Sequence, residues 1–228
     1  MNFIIGLTVS IPRMSSLFDE NDKEKVSFVA SDIYNTLLTI MFPAVVGIIV
    51  LRDEIVVIIS GNSYVGAVPS LIILSATMVL CLGAYFWGQA ILVPVKKEGV
   101  CFKASLLSAA VCIFLNFFLI PIWKEKAAAF TTLIAEGVAF LVCRHEGVKY
   151  VKLTGTINTV LKSAIGCIGI IIISLLLIPL KNQIVLYTIL TIIISVIVYI
   201  VTQVILKNDS ILSVLNAIEH KYRKEMNK

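Results

Sequence analysis

One ionisable side chain stands where such groups are expensive to place. Glu136 lies ten residues into an otherwise uncharged stretch, 127–143, and a charged group at the centre of a membrane-spanning helix costs at least about 2.5 kcal/mol. A carboxylate there lines a cavity, pairs with a cation or takes up a proton. Thr132, one helical turn earlier, shares its face. Two roles fit the pair: an ion-coupling or substrate-facing carboxylate, or a protonated Glu hydrogen-bonded between helices for packing alone. Asn116, within 104–122, and Gln89, toward the end of 69–93, can each hydrogen-bond a polar ligand or bridge two helices, and bridging is the commoner use. Arg13, just beyond Pro12, can clasp phosphate oxygens or simply anchor the chain at a membrane face. Pro43, inside 33–51, deletes a backbone hydrogen bond and bends its helix, as a hinge or as a fixed kink.

Nothing in the sequence assembles a catalytic set. HExxH, GxSxG and Walker A patterns do not occur, and His145–Glu146 has no second His four residues on. Cys81, Cys101, Cys112, Cys143 and Cys167 lack paired ligand spacing, so they read as small hydrophobes and not as a metal site or a disulfide framework. His145 and His220 are isolated. No enzyme, metal or cofactor is expected.

The elements that must carry these residues follow from composition. Of 228 residues, 59% are hydrophobic and 14% charged, with a mean hydropathy of +1.00. A soluble domain averages about 45–50% apolar and about 25% charged. Too few charges remain to build a water-exposed surface, which excludes a soluble enzyme, a nucleic-acid binder and a disordered chain. Uncharged runs at 33–51, 55–95, 104–123, 163–180 and 182–206, with 127–143 broken only by Glu136, are the length of membrane-crossing helices. Gly61, Asn62, Ser63, Gly66 and Pro69 punctuate the start of 55–95, so the region 52–68 is expected to be a loop or re-entrant piece. Arg52, Asp53 and Glu54 are expected to cap the outer end of a span in solvent. The expectation is an all-α polytopic bundle with spans near 33–51, 69–93, 104–122, 127–143, 161–180 and 184–206. Runs without apolar–polar alternation do not suit a β-barrel.

Positive charge gives an independent check. Alternate segments hold Arg13, Lys23, Lys25; Lys96, Lys97, Lys103; Arg144, Lys149, Lys152, Lys162; and Lys207, Lys221, Arg223, Lys224, Lys228. The intervening segments hold only Arg52, Lys124, Lys126 and Lys181. The rich segments, including the C-terminus, are therefore expected on the cytoplasmic side of a cell membrane. Residues 1–11 are apolar but about half a membrane thick, which suits either an interfacial helix or the end of a spanning helix whose beginning is missing. In the tail, 207–228, Ile211, Leu215, Ile218 and Tyr222 make a helical stripe beside basic residues, a pattern of helices lying on anionic lipid.

Read in order, the words LTVSIPRMSSLFDENDKEK, FPAVVGIIVL, EIVVIISGNSYVGAVPSLIILS, GQAILVPVKKE and LNFFLIPIWKEKAAAFTTLIAEGVAFLV resemble the C-terminal half of an oligosaccharide flippase. That family handles O-antigen or capsule units and belongs to the multidrug/oligosaccharidyl-lipid/polysaccharide exporter superfamily. The resemblance covers nearly all of 7–143; residues 144–228 match only as two further spans and a basic tail. It implies a division into 1–11, the end of a truncated helix; 12–143, the helices of a second lobe; 144–206, two additional helices; and 207–228, a cytoplasmic tail. It also implies transport of an undecaprenyl-type lipid-linked oligosaccharide in polysaccharide or lipopolysaccharide biosynthesis. One lobe cannot rock against itself, so a separately encoded N-terminal half is an expected partner, and nucleic acid is not. The alternatives are a proton- or sodium-coupled drug exporter of the same superfamily and a non-transporting fragment. At 123–130 the family tends to carry glycines where this chain has WKEKAAAF, which puts the turn there in doubt.

Overall fold

A computed structural model describes residues 14–18 and 22–211. Beside a helical turn at 14–18, the described residues form α1 (Lys23–Val50), α2 (Arg52–Ser60), α3 (Val68–Tyr85), α4 (Glu98–Trp123), α5 (Glu125–Gly147), α6 (Thr156–Leu176) and α7 (Ile184–Ile205). A 3-10 stretch, Asn62–Ala67, leads into α3, and a π-helical stretch, Phe86–Leu92, continues it. No strand occurs among the described residues. Among the described residues six helices are long and apolar enough to cross a membrane: α1, α3 with its flanking turns, and α4 to α7. The all-helical fold and the number of spans are those expected from hydropathy.

Local chemistry sets the helix ends. Asp22 precedes α1; its carboxylate accepts the Lys25 backbone N–H at 3.1 Å and pairs with Lys25 Nζ at 2.9 Å, which satisfies one orphan donor of the first turn. The Lys25 contacts hold the Asp22 carboxyl below its ordinary range. Pro69 sits in the first turn of α3, where its missing N–H costs nothing. Between α4 and α5 the reversal is made by Lys124 alone, at φ 52°. The chain therefore turns without the glycine expected of such a corner, by forcing a lysine into a left-handed conformation.

The connection at 52–68 is helical rather than irregular. IVVIIS contains no proline or glycine to stop a helix, and α2 runs until Gly61, whose φ of 87° only glycine adopts easily. Glu54 corrects a sequence expectation: instead of lying in solvent it is 3% exposed, because α2 folds back against its neighbours.

The described chain divides into two compact units, with the boundary inside α1. The first holds residues up to Tyr34 and Leu51–Thr154; the second holds Asn35–Val50 and Gly155 onward. In the first, α5 packs against both α3 and α4. Gly83 lets α3 approach the Phe140 ring, 2.6 Å from where a Cβ would sit. In the second, α6 and α7 pack as an antiparallel pair with the later part of α1, and Cys167, Ile170 and Tyr199 are covered by Phe42 and Val46.

Candidate functional site

The polar groups of the first unit gather along α5. On α4, Asn116 accepts a hydrogen bond from the Thr131 hydroxyl of α5 at 2.6 Å through Oδ1, and its Nδ2 donates to Cys112 Sγ at 3.4 Å. Farther along, the Ser108 hydroxyl of α4 donates to the Ala135 carbonyl of α5 at 2.9 Å. These bonds tie the two helices where hydrocarbon offers no alternative partner. Thr131 is fully buried. Glu136, the next residue after Ala135, is half-buried, and its carboxylate lies beside the Cys81 thiol of α3. A carboxylate thus sits where α5 meets α3, five residues beyond a part-buried Asn–Thr pair.

Thr132 does not join Glu136 through its hydroxyl; it donates to the Ala128 carbonyl of its own helix at 2.8 Å. Thr131, one residue earlier, is the residue that reaches across to Asn116. Gln89 is exposed on the π-helical stretch, and the structure brings it to none of the other candidates. Arg13 and the tail stripe beyond Ile211 lie outside the described residues.

Pro43 belongs to the second unit and does not interrupt α1. A proline lacks the N–H that would bond the carbonyl four residues earlier, here Thr39. That carbonyl accepts the Tyr199 hydroxyl of α7 at 2.6 Å, and Thr39 is wholly buried. A neighbouring helix thus supplies the donor that proline removed, as an uninterrupted span through lipid requires. Sequence reading had the proline but not the tyrosine, 160 positions beyond the Thr39 carbonyl it bonds; an orphaned carbonyl facing a tyrosine in an apolar span was the available signal. Tyr199 also contacts Ser163 of α6, and the Gln203 amide donates to the Lys162 carbonyl at 2.8 Å.

Among the described residues no group of three or more His, Cys, Asp or Glu side chains is placed to hold a metal ion. Two cysteines that spacing had left unconnected do meet: Cys101 and Cys143 interact side chain to side chain, with sulfurs 3.6 and 3.9 Å from where a Cβ on Gly88 would lie.

Because the Asn116–Thr131 bond joins neighbouring helices, Asn116→Leu is expected to lower stability by about 1 kcal/mol. Thr131→Val should do the same, and the double variant should cost no more than either single change, since each deletes the one shared bond. Unfolding titrations of the full chain in detergent would read this; additive losses would mean that the two side chains act separately.

No protein-family model matches the chain. Over 134 residues, 59% of this chain, it is 26% identical to the probable low-salt glycan biosynthesis flippase Agl15 of Haloferax volcanii. The match spans 28% of that protein's length. With six span-length helices among the described residues, the chain is a multi-pass helical membrane protein with flippase-like sequence.

Proposed function

We propose that this chain is one helical lobe, the C-terminal one, of a transporter that moves lipid-linked oligosaccharide units across the cytoplasmic membrane for polysaccharide assembly. The observation that carries the reading is the similarity to a glycan flippase over more than half of a chain whose described residues form six span-length helices. The site chemistry is compatible with it. Glu136 is a carboxylate partly open to its surroundings in mid-span, and such groups mark substrate or ion pathways. Asn116 and Thr132 offer further polar atoms on the same helix pair, and Gln89 and Arg13 are the remaining substrate-facing candidates. Pro43, with its carbonyl held by Tyr199, is the hinge candidate.

Alternating access needs two bodies moving about a central site. On this reading a second, similar lobe completes the cavity, as a separately encoded half or the remainder of a longer protein. The lipid tail of the substrate stays in the bilayer while its glycan crosses, and the positively charged segments face the cytoplasm.

The test is flux of a fluorescent undecaprenyl-diphosphate-linked glycan in proteoliposomes holding the full chain, alone and with a complementary lobe. Flux is expected only with the second lobe. In that complex Glu136→Gln is expected to lower it about tenfold, as loss of a coupling free energy of a kcal/mol or two would. Unchanged flux in the variant would assign Glu136 to packing. Gradient-driven efflux of small cations without glycan movement would replace this reading with the drug-exporter one.

A further inference from the structure

The end of α5 carries a pocket that the transport reading does not use. It has a volume of about 580 Å³ and is lined by Leu141, Val142, Arg144, His145, Glu146 and Val148. Its wall and its lip differ in chemistry. Leu141 is 61% and Val148 46% exposed, which leaves an open apolar surface on the last turns of a span-length helix. Directly beyond it, Arg144 and His145 form the last turn of α5, so the lip is cationic and lies where a span of this length meets the headgroup layer.

The positive charge of the lip is not cancelled locally. Glu146, the acidic residue of the lining, is taken by Lys149, whose Nζ lies 2.6 Å from its carboxylate. Lys97 also lies within electrostatic reach of that carboxylate. Lys97, Arg144 and Lys149 thus outnumber the acidic residues near them, Glu146 and Glu98, with His145 beside them. Arg144 makes no ion pair with any described acidic residue; its guanidinium lies 6.0 Å from the centre of the Phe140 ring, and the residue is exposed. A planar guanidinium with free donors matches phosphate oxygens in two-point contact. A soluble anion would use the lip and leave the apolar wall bare. A ligand with a phosphate at one end and hydrocarbon at the other covers both.

We infer that this pocket binds an anionic glycerophospholipid of the surrounding bilayer, with its phosphate on Arg144 and His145 and its acyl chains along Leu141, Val142 and Val148. The lipid would be a resident of the lobe and not its cargo, so the inference stands or falls independently of the transport reading. It also does not depend on which leaflet the end of α5 faces, because the charged turn marks a membrane–water boundary on either side.

The test uses the full chain in nanodiscs containing equal amounts of phosphatidylglycerol and phosphatidylcholine, with retained lipids counted by native mass spectrometry. Phosphatidylglycerol should be retained about fivefold over phosphatidylcholine, the preference that one basic residue at a lipid surface supplies. Arg144→Gln should bring that ratio to parity. Val148→Trp keeps every charge but fills the pocket, and should also reduce retention. Both positions are exposed, and unchanged thermal unfolding midpoints would show that the variants remain folded. The inference is overturned if the wild-type chain shows no preference, or if both variants keep it. Displacement of the lipid by inorganic phosphate alone would overturn it too, by making this a site for soluble anions.

Discussion

Gly166→Leu is expected to destabilise the second unit by about 3 kcal/mol, at the upper end of what overpacking a close contact costs. A Cβ at position 166 would lie 2.7 Å from the Tyr199 ring and 2.6 Å from the Gln203 amide, and leucine adds three more carbons in that direction. Neither neighbour is free to yield. Tyr199 is held by its bond to the Thr39 carbonyl, and Gln203, fully buried, by its bonds to the Lys162 carbonyl and Asn208. Moving Tyr199 also strands the carbonyl that Pro43 leaves without a backbone donor, and an unmade hydrogen bond to a buried group costs about 1–3 kcal/mol. Tyr199→Phe isolates that second contribution, so it should cost less than Gly166→Leu while loosening the same stretch of α1. Reversible unfolding in mixed micelles would measure the losses, and hydrogen exchange of the amides near Pro43 would show where α1 opens. Gly47→Ala is the control: a Cβ there meets nothing within 4 Å, so it should match the wild type or exceed it. If Gly166→Leu were as stable as Gly47→Ala, the seam between α6 and α7 would not be holding Tyr199 in place.

In the first unit the largest loss is expected from Trp87→Ala, about 3–5 kcal/mol. Trp87 is 2% exposed. It stands edge-on to Phe86 at 5.5 Å between centroids and lies 6.3 Å from Tyr34. The Gly147 backbone passes so close to the Trp87 ring that no Cβ would fit between them. Among lipids, helix association depends on packing more than on expulsion of water, so an emptied ring-sized site is not refilled cheaply. The indole Nε1 is buried without an acceptor. Trp87→Phe therefore gives up volume but no hydrogen bond, and it should cost less than about 2 kcal/mol. With Trp123 replaced by Phe, the indole of Trp87 is the sole tryptophan fluorophore, and its emission reports this region through the same titration. Equal stabilities for the Phe and Ala variants would mean that the ring is not a packing centre.

Composition alone determined that the chain is helical and crosses a membrane several times. Uncharged runs of span length leave little choice, because a backbone in lipid must satisfy its own hydrogen bonds. Glu136 was legible for the same reason, since a carboxylate in such a run stands out whatever surrounds it. What it touches was not legible: Cys81 comes from α3, and no periodicity records which faces of two uniformly apolar helices meet. Which of Thr131 and Thr132 meets α4 was not legible either, because a one-residue step on a helix turns the side chain by about 100° and only packing shows the outcome. Glu54 was misplaced because charge at the end of a hydrophobic run ordinarily means solvent, whereas α2 continues as a helix and buries it. Lys124 makes the α4–α5 turn against its own conformational preference because the helices on either side fix the geometry. The grouping of residues 35–50 with α6 and α7, and the bond of Tyr199 to the Thr39 carbonyl across 160 positions, were decided by the tertiary structure alone. Hydropathy reports the solvent a residue prefers, while the choice of neighbour depends on shape and on which backbone groups are left wanting a partner.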